Sequence, residues 1–254
     1  MTRVLAVANQ KGGVGKTTTA ACLGAAYVEL GQRVLLIDLD PQSCLTFSMG
    51  LSPRDLEATA YQVMLGKADA AKAVHSTPDG PDLLPAGIEL AGCEAALAPL
   101  PDRERRLADA LAGIVGDYQQ IIIDCPPTLG LLTLNGLVAA TELLIPVQAE
   151  LLAFRGVDQL LDTVEYEVQP RHNPKLRVLG VLPTQYDPRT RHAKQVVAAI
   201  GETYGLEVLT PAIPRSVRFA EAPAVGRTVL VTARRSRGAE AYRDLARRLL
   251  EPVR

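Results

Sequence analysis

Short apolar runs that end at a polar or acidic residue recur along the chain. They are rich in Val, Leu, Ile and Ala, a composition typical of buried parallel strands. The predicted strands are Val4–Ala8, Arg33–Leu39, Gln119–Asp124, Glu142–Gln148 and Arg177–Leu182, with a further short one at Asp82–Pro85.

Other segments carry apolar residues at helical spacing. The predicted helices are Thr18–Leu30, Asp102–Val115, Thr133–Ala140, Phe154–Val168, His192–Tyr204 and Gly238–Leu250, with short helical segments at Ala60–Leu65 and Ile88–Leu97. No repeat, low-complexity tract or linker interrupts these elements. We therefore predict one large α/β domain over residues 1–254.

A glycine-rich segment joins the first strand to the first helix. It has the sequence Lys11-Gly12-Gly13-Val14-Gly15-Lys16-Thr17-Thr18. Strand, glycine turn and helix form the context of a phosphate-binding loop, in which consecutive N–H groups and the helix N-terminus face an anion. Lys16 supplies a full positive charge to the outer phosphates, and the Thr17 hydroxyl suits Mg²⁺.

This loop departs from the common pattern, which requires glycine five residues before its last glycine. Gln10 occupies that position, and a second lysine, Lys11, precedes the glycines instead. A glycine turn with two solvated lysines is the non-functional alternative, and the flanking strand and helix argue against it.

Three carboxylates follow predicted strands. Asp38 and Asp40 lie two residues apart at the end of the second strand, where Pro41 forces a loop, and Asp124 ends the Gln119–Asp124 strand. Parallel sheets bind ligands at this edge. One member of the first pair can face a metal through water and the other an attacking water, and Asp124 resembles a Walker B aspartate.

The amino-acid composition limits the classes of protein to which this chain can belong. Apolar residues make up 48% of the chain, which indicates a globular protein rather than a disordered one. No apolar run approaches bilayer length and the N-terminus does not resemble a signal peptide, so we expect a cytoplasmic location. The four cysteines lack metal-ligand spacing and are expected to be reduced thiols.

Charge is distributed unevenly along the chain. Residues 1–169 carry a net charge of −10, whereas residues 170–254 carry +9. This asymmetry suggests a surface for a polyanion in the last third of the chain. Solvated arginines on ordinary helix faces remain the alternative at this stage.

The variant loop resembles the deviant Walker A box of the ParA/MinD family of ATPases. The resemblance to its ParA/Soj-type partitioning members extends along the chain, through Asp38-Leu39-Asp40-Pro41-Gln42, Asp124-Cys125-Pro126-Pro127, Pro146-Val147-Gln148, Ile213-Pro214-Arg215 and Glu221-Ala222-Pro223. It implies a P-loop NTPase fold, a mostly parallel twisted sheet flanked by helices on both faces. It also implies ATP and Mg²⁺ as cofactors, an ATP-bound sandwich homodimer on nonspecific double-stranded DNA, and release by a ParB-type activator at the nucleoid.

The resemblance also assigns roles to residues. Lys11 reaches the partner's phosphates, whereas Lys16 and the backbone from Gly12 to Thr18 hold the subunit's own. Thr17 binds Mg²⁺, Asp38 and Asp124 hold it through water, and Asp40 positions or deprotonates the attacking water. Catalysis is thus assigned to Lys11, Lys16 and Asp40; the nucleotide contacts are Lys11, Gly12, Gly13, Val14, Gly15, Lys16, Thr17, Thr18 and, near the adenine, Ile213, Pro214 and Arg215.

Basic residues of the last third are the candidates for DNA contact. Arginine forms forked contacts with phosphates, and no recognition-helix pattern is evident, so sequence-independent binding is expected. The candidates are Arg189, Arg191, Lys194, Arg215, Arg218, Arg227, Arg234, Arg235 and Arg247.

Two other classes of ATPase share such a loop. A MinD-like membrane ATPase needs a lipid-inserting C-terminal helix, and the final predicted helix instead has the composition of a core-packing helix. An iron–sulfur ATPase needs cysteines that bridge a dimer, for which Cys93 and Cys125 are the candidates. A domain that does not hydrolyse ATP is disfavoured because Lys16, Thr17 and the three aspartates are all present.

Overall fold

A computed structural model describes residues 2–150 and 153–251, and the side chains of Ala153 and His192 lie outside the description. Its strands are β1 (Arg3–Val7), β2 (Val34–Asp38), β3 (His75–Ser76), β4 (Asp82–Leu84), β5 (Gln120–Asp124), β6 (Glu142–Gln148) and β7 (Arg177–Thr184). They form one sheet in the order β3-β4-β2-β5-β1-β6-β7. Every pairing is parallel except β3 with β4, which confirms the predicted α/β fold.

Helices cover both faces of this sheet. They are α1 (Lys16–Glu29), α2 (Cys44–Ser48), α3 (Ala60–Met64), α4 (Ala70–Ala73), α5 (Cys93–Leu97), α6 (Arg106–Leu111), α7 (Leu131–Ala139), α8 (Ala153–Thr163), α9 (Gln169–Arg171), α10 (Arg191–Tyr204), α11 (Arg218–Glu221), α12 (Val229–Thr232) and α13 (Arg237–Leu250). A π-helical turn, Val164–Val168, joins α8 to α9. No helix in the described ranges combines the length and apolar character that a bilayer crossing requires.

Alternating strand residues divide the core into two layers. Side chains such as Leu36 and Ile122 belong to one layer, which contains α1 and the buried face of α13. Their neighbours Leu35 and Ile121 belong to the other layer, which contains α7 and α8. The alternation follows from the two-residue period of a strand, and burial on both faces explains why these strands are apolar throughout.

One predicted helix is much shorter than its sequence pattern. The apolar spacing over Asp102–Val115 predicts a helix, but only Arg106–Leu111 is α-helical. Asp102 has a left-handed backbone with φ of 49°, and turns with Gly113 follow Leu111. Glycine weakens a helix and a left-handed residue cannot belong to one, so both ends are cut back.

Candidate functional site

The glycine loop lies at the carboxyl edge of the sheet, between β1 and α1. Gly13 and Gly15 have φ of 74° and 85°, a left-handed conformation that a side chain would strain. Because Gly15 ends the loop in this conformation, α1 begins at Lys16, two residues earlier than predicted. The free N–H groups of the first helical turn therefore face the mouth of the loop.

Lys16 is almost fully buried beneath this loop. Its Nζ donates a hydrogen bond to the carbonyl oxygen of Lys11 at 3.2 Å. Burial lowers the pKa of Lys16, while Asp124 and Asp40 nearby act in the opposite direction. A cation enclosed in this way is positioned to meet an anion entering the loop.

Residues at the end of β7 hold the loop from the other side. The Thr184 hydroxyl lies 2.7 Å from the carbonyl oxygen of Val14 and 3.1 Å from that of Val147. The Gln185 amide donates to the carbonyl oxygen of Gly13 at 2.7 Å. The sequence analysis did not predict these contacts with the loop, because they join positions about 170 residues apart. The signal that could have found them is the position of Thr184 and Gln185 at the end of a strand.

Two aspartates meet at the carboxyl ends of adjacent strands. In the parallel register of β2 with β5, Asp38 lies directly opposite Asp124, and both are fully buried. Asp38 accepts hydrogen bonds from the Thr46 N–H at 2.9 Å, the Thr46 hydroxyl at 2.8 Å and the Asp40 N–H at 3.1 Å. Burial raises the pKa of Asp38 to about 6, and the hydrogen bonds from Thr46 oppose that rise.

Asp124 has a different environment. Neither of its buried carboxylate oxygens has a hydrogen-bond partner among the described residues. Burial, followed by the charge of Asp38, raises the pKa of Asp124 well above its usual range, and the Thr17 hydroxyl and Lys16 oppose this. Two unsatisfied buried oxygens are costly unless something compensates them, and a hydrated divalent cation does so.

The donor set therefore fits Mg²⁺. In the described residues no group of three His, Cys, Asp or Glu side chains forms a dedicated metal cage. Mg²⁺ usually keeps several waters and takes one or two protein oxygens together with substrate phosphates. Thr17, Asp38 and Asp124 supply oxygens of that kind.

A central pocket of about 610 Å³ opens above these groups. Its lining includes the glycine loop, Asp40, and the segment from Ile213 to Val217 between α10 and α11. The predicted residues Gly12, Gly13, Gly15, Lys16, Thr17, Thr18, Ile213, Pro214 and Arg215 all line it, whereas Val14 is buried behind the loop. Its volume is that of an ordinary small-molecule site.

Lys11 points away from the central pocket. Its ammonium forms an ion pair of 2.5 Å with Glu150, which follows β6. The Asn9 side chain fixes the backbone beneath it, because its oxygen accepts from the Lys11 N–H at 2.9 Å and its amide donates to Pro146 at 2.8 Å. Gly12 is exposed, and a Cβ added there would meet no atom within 4 Å.

The predicted DNA-contacting residues fall into two groups. Four have acidic partners: Arg189 with Asp187, Arg218 with Glu221, Arg227 with Asp79 and Arg247 with Asp244. Arg227 is structural in character, because the Asp79 carboxylate is buried and also accepts the Thr228 N–H at 2.5 Å. The others, Arg191, Lys194, Arg215, Arg234 and Arg235, have exposed side chains without an ion-pair partner among the described residues.

One member of this second group, Arg235, lines an open cleft of about 490 Å³. We call it the basic cleft; it is lined by Tyr186, Pro188, Pro211, Ala212 and Pro214, with Arg235 and Arg237 beside them and Glu240 and Asp244 at one side. Arg189 and Arg191 follow Pro188 in the chain, and Arg215 follows Pro214. Arg237, at the start of α13, was not predicted; its place in the basic run Arg234-Arg235-Ser236-Arg237 is the sequence signal that could have found it.

Comparisons with known proteins agree with this geometry. A family model described as an AAA domain matches residues 2–178. The sporulation initiation inhibitor protein Soj of Bacillus subtilis is 44% identical over 97% of this chain and 98% of its own length. The chromosome partitioning protein ParA of Caulobacter vibrioides is 42% identical over 98% of this chain and 94% of its own.

A solved structure gives a similar match. It is described as cobyrinic acid a,c-diamide synthase from Mycobacterium smegmatis with bound ATP analog and magnesium. Its TM-score is 0.90 at 50% identity, over 98% of this chain and 94% of that one. With near full-length relatives of this similarity and a deviant phosphate-binding loop in the expected geometry, the chain belongs to the ParA/MinD family of P-loop ATPases.

Proposed function

We propose that this protein is a DNA-partitioning ATPase. In this proposal the ATP-bound homodimer holds nonspecific DNA at the nucleoid and lets go after hydrolysis stimulated by a ParB-type activator. The observation that carries the proposal is that Lys16 lines a pocket at a deviant phosphate-binding loop and lies near Asp124, which is opposite Asp38 across two adjacent strands. The partitioning relatives Soj and ParA support the biological role.

The central pocket would bind Mg–ATP. The loop N–H groups and Lys16 hold the phosphates, and Mg²⁺ neutralises charge on them when it is bound, with Thr17, Asp38 and Asp124 as its protein oxygens. Asp40 borders the pocket and is only partly buried, so its carboxylate can orient a water for attack. One Asp40 oxygen accepts the Gln42 N–H at 2.9 Å, which fixes the side chain.

The homodimer would complete this site through Lys11. Lys11 does not line the pocket of its own subunit, and Gly12 beside it presents an open, exposed backbone to which a second loop can come close. A cation supplied in trans to a transferring phosphoryl group is worth on the order of 10³–10⁵ in rate where such groups have been measured. Hydrolysis would therefore require the dimer, and loss of the γ-phosphate would end it.

DNA would bind at the basic cleft. Arg235 and Arg237 in its lining have no ion-pair partner among the described residues, because the neighbouring Glu240 and Asp244 pair with Arg243 and Arg247 instead, and guanidinium groups make forked phosphate contacts. Pro214 lines both the central pocket and the basic cleft. The proposed ATP site and the proposed DNA site therefore share a lining residue, so binding at one site can change the affinity of the other.

The structure favours this function over the MinD-like alternative. A membrane-targeting helix must expose its apolar side to lipid. In α13 that side is occupied, since Tyr242 and Leu245 are about 1% exposed and the Tyr242 hydroxyl lies 3.0 Å from that of Thr19 in α1. Co-sedimentation with anionic liposomes in the presence of ATP would support the alternative.

The name of the M. smegmatis neighbour points to another reaction. A diamide synthase of cobyrinic acid acts on a carboxylate-bearing substrate in addition to the nucleotide. For this chain, the described residues lead us to infer a nucleotide site only. Incubation with cobyrinic acid, ATP and ammonium, followed by mass spectrometry, separates the two functions. The partitioning proposal predicts no diamide, and its formation would contradict the proposal.

Gel filtration tests the proposal as a whole. The protein is run with ATP, with ADP and without nucleotide, each with and without plasmid DNA. We expect a dimer with ATP alone and co-elution with plasmid in that condition only. A monomer in all conditions, or equal DNA binding in all of them, would contradict it.

A further inference from the structure

Thr46 occupies a position in α2 that no sequence motif marks. It is fully buried, and it joins the ends of two neighbouring strands, β2 and β4. Its N–H and its hydroxyl both donate to the same carboxylate oxygen of Asp38, at 2.9 and 2.8 Å. Its hydroxyl oxygen also accepts the Ala86 N–H at 2.9 Å, just beyond the end of β4.

This arrangement fixes the direction of the hydroxyl proton. A threonine hydroxyl has a single proton and accepts through its lone pairs. Because Ala86 occupies the acceptor side, the proton of Thr46 is directed to Asp38. One oxygen of Asp38 is thus held by two donors, and the other is held by the Asp40 N–H at 3.1 Å.

Asp124 makes the contrast clear. Neither of its oxygens accepts a hydrogen bond of ordinary geometry among the described residues, although the Thr17 hydroxyl lies nearby, so its carboxylate is held less firmly than that of Asp38. Of the two aspartates, Asp38 is therefore the one whose orientation is set before any ligand arrives. A donor that orients a metal-facing carboxylate acts on the metal from outside its coordination shell.

We propose that Thr46 is a positioning residue for Mg²⁺, acting through the orientation of Asp38. The proposal rests on the proposed Mg–ATP site. Substitution of residues in such outer positions typically costs 10–100-fold in metal affinity or activity. The loss should fall on the magnesium-dependent part of nucleotide binding, because Thr46 contacts neither the glycine loop nor the Ile213–Val217 segment by a hydrogen bond.

The test compares Thr46→Val with Thr46→Ser. Valine keeps the shape and removes the hydroxyl, whereas serine restores it. Thr77→Val is the matched control: Thr77 is also buried and its hydroxyl donates to the carbonyl oxygen of Pro81 at 2.6 Å, in a turn outside the central pocket. Binding of a fluorescent ATP analogue is measured in EDTA and across a magnesium titration, and thermal melting is followed for each variant.

We expect the magnesium concentration at half-saturation to rise about tenfold in Thr46→Val and to return to within about threefold of wild type in Thr46→Ser. Affinity in EDTA should be unchanged in both, and Thr77→Val should match wild type throughout. Equal losses with and without magnesium, an unchanged half-saturation in Thr46→Val, or no recovery with serine would each overturn the inference. Failure of the wild type to bind the nucleotide would instead overturn the proposed function.

Discussion

The central pocket and the basic cleft share Pro214 as a wall but are built in opposite ways. At the nucleotide site, the pocket-lining Lys16 and the nearby Asp38 and Asp124 are buried and lie at a helix start or at strand ends, where the backbone sets their positions. At the cleft, Arg235 in its lining and Arg191, three residues beyond Pro188, have exposed side chains without a partner among the described residues. Single substitutions at the pocket should therefore have large effects on ATP binding or hydrolysis. Single substitutions at the cleft should have small, graded effects on DNA affinity.

The largest effect is expected from Lys16→Ala. The substitution removes a buried cation beneath the loop, so phosphate affinity should fall by roughly 100-fold or more, the equivalent of about 3 kcal/mol. Equilibrium binding of a fluorescent ATP analogue measures it. Retained tight binding would contradict the assignment of the phosphate-binding loop. Lys194 is an exposed lysine in the last third of the chain, so Lys194→Ala serves as the charge-matched control.

Asp40→Ala should separate turnover from binding. Loss of a group that orients or deprotonates water costs about 10²–10⁴ in rate. ATP binding, dimerisation and DNA retention should persist, because the side chain accepts only a local hydrogen bond from Gln42. Single-turnover hydrolysis beside a gel-filtration profile measures both properties, and normal turnover would exclude Asp40 from catalysis.

Gly12→Val should affect the dimer and leave the subunit intact. A Cβ at this position meets nothing within the chain, so thermal stability should stay within about 0.5 kcal/mol of wild type. A second loop approaching the same surface would meet the valine. Analytical ultracentrifugation with ATP should show a monomer, and an unchanged ATP-dependent dimer would refute the proposed approach of the two loops.

The smallest effects are expected in the basic cleft. Arg191→Ala and Arg235→Ala should each weaken DNA binding a few-fold and lower the salt slope of log affinity by about 0.9. Arg227→Ala should behave differently: it leaves the buried Asp79 without its charged partner and should cost about 1–3 kcal/mol of stability with little change in the slope. DNA titrations at several salt concentrations measure the slope, and chemical denaturation measures the stability. A loss of stability in Arg191→Ala or Arg235→Ala, or a lower salt slope in Arg227→Ala, would contradict this distinction.

The same contrast explains what could be predicted from the sequence. Strand ends, glycine turns and acidic residues are local patterns, so the fold and the meeting of Asp38 with Asp124 followed from them. The Thr46, Thr184 and Arg227 contacts join distant positions and have no local pattern. The prediction of a full helix over Asp102–Val115 was wrong for the converse reason. There the local apolar spacing continues through positions at which a left-handed residue and a glycine interrupt the helical backbone.

The dependence of turnover on protein concentration tests the central claim most directly. If the Lys11 of one subunit serves the nucleotide of the other, ATP hydrolysis per molecule should rise with concentration at saturating Mg–ATP and level off once the dimer has formed. A Lys11→Ala variant should stay at the low monomer rate throughout. A constant rate per molecule down to concentrations at which ultracentrifugation shows only monomer would contradict the account.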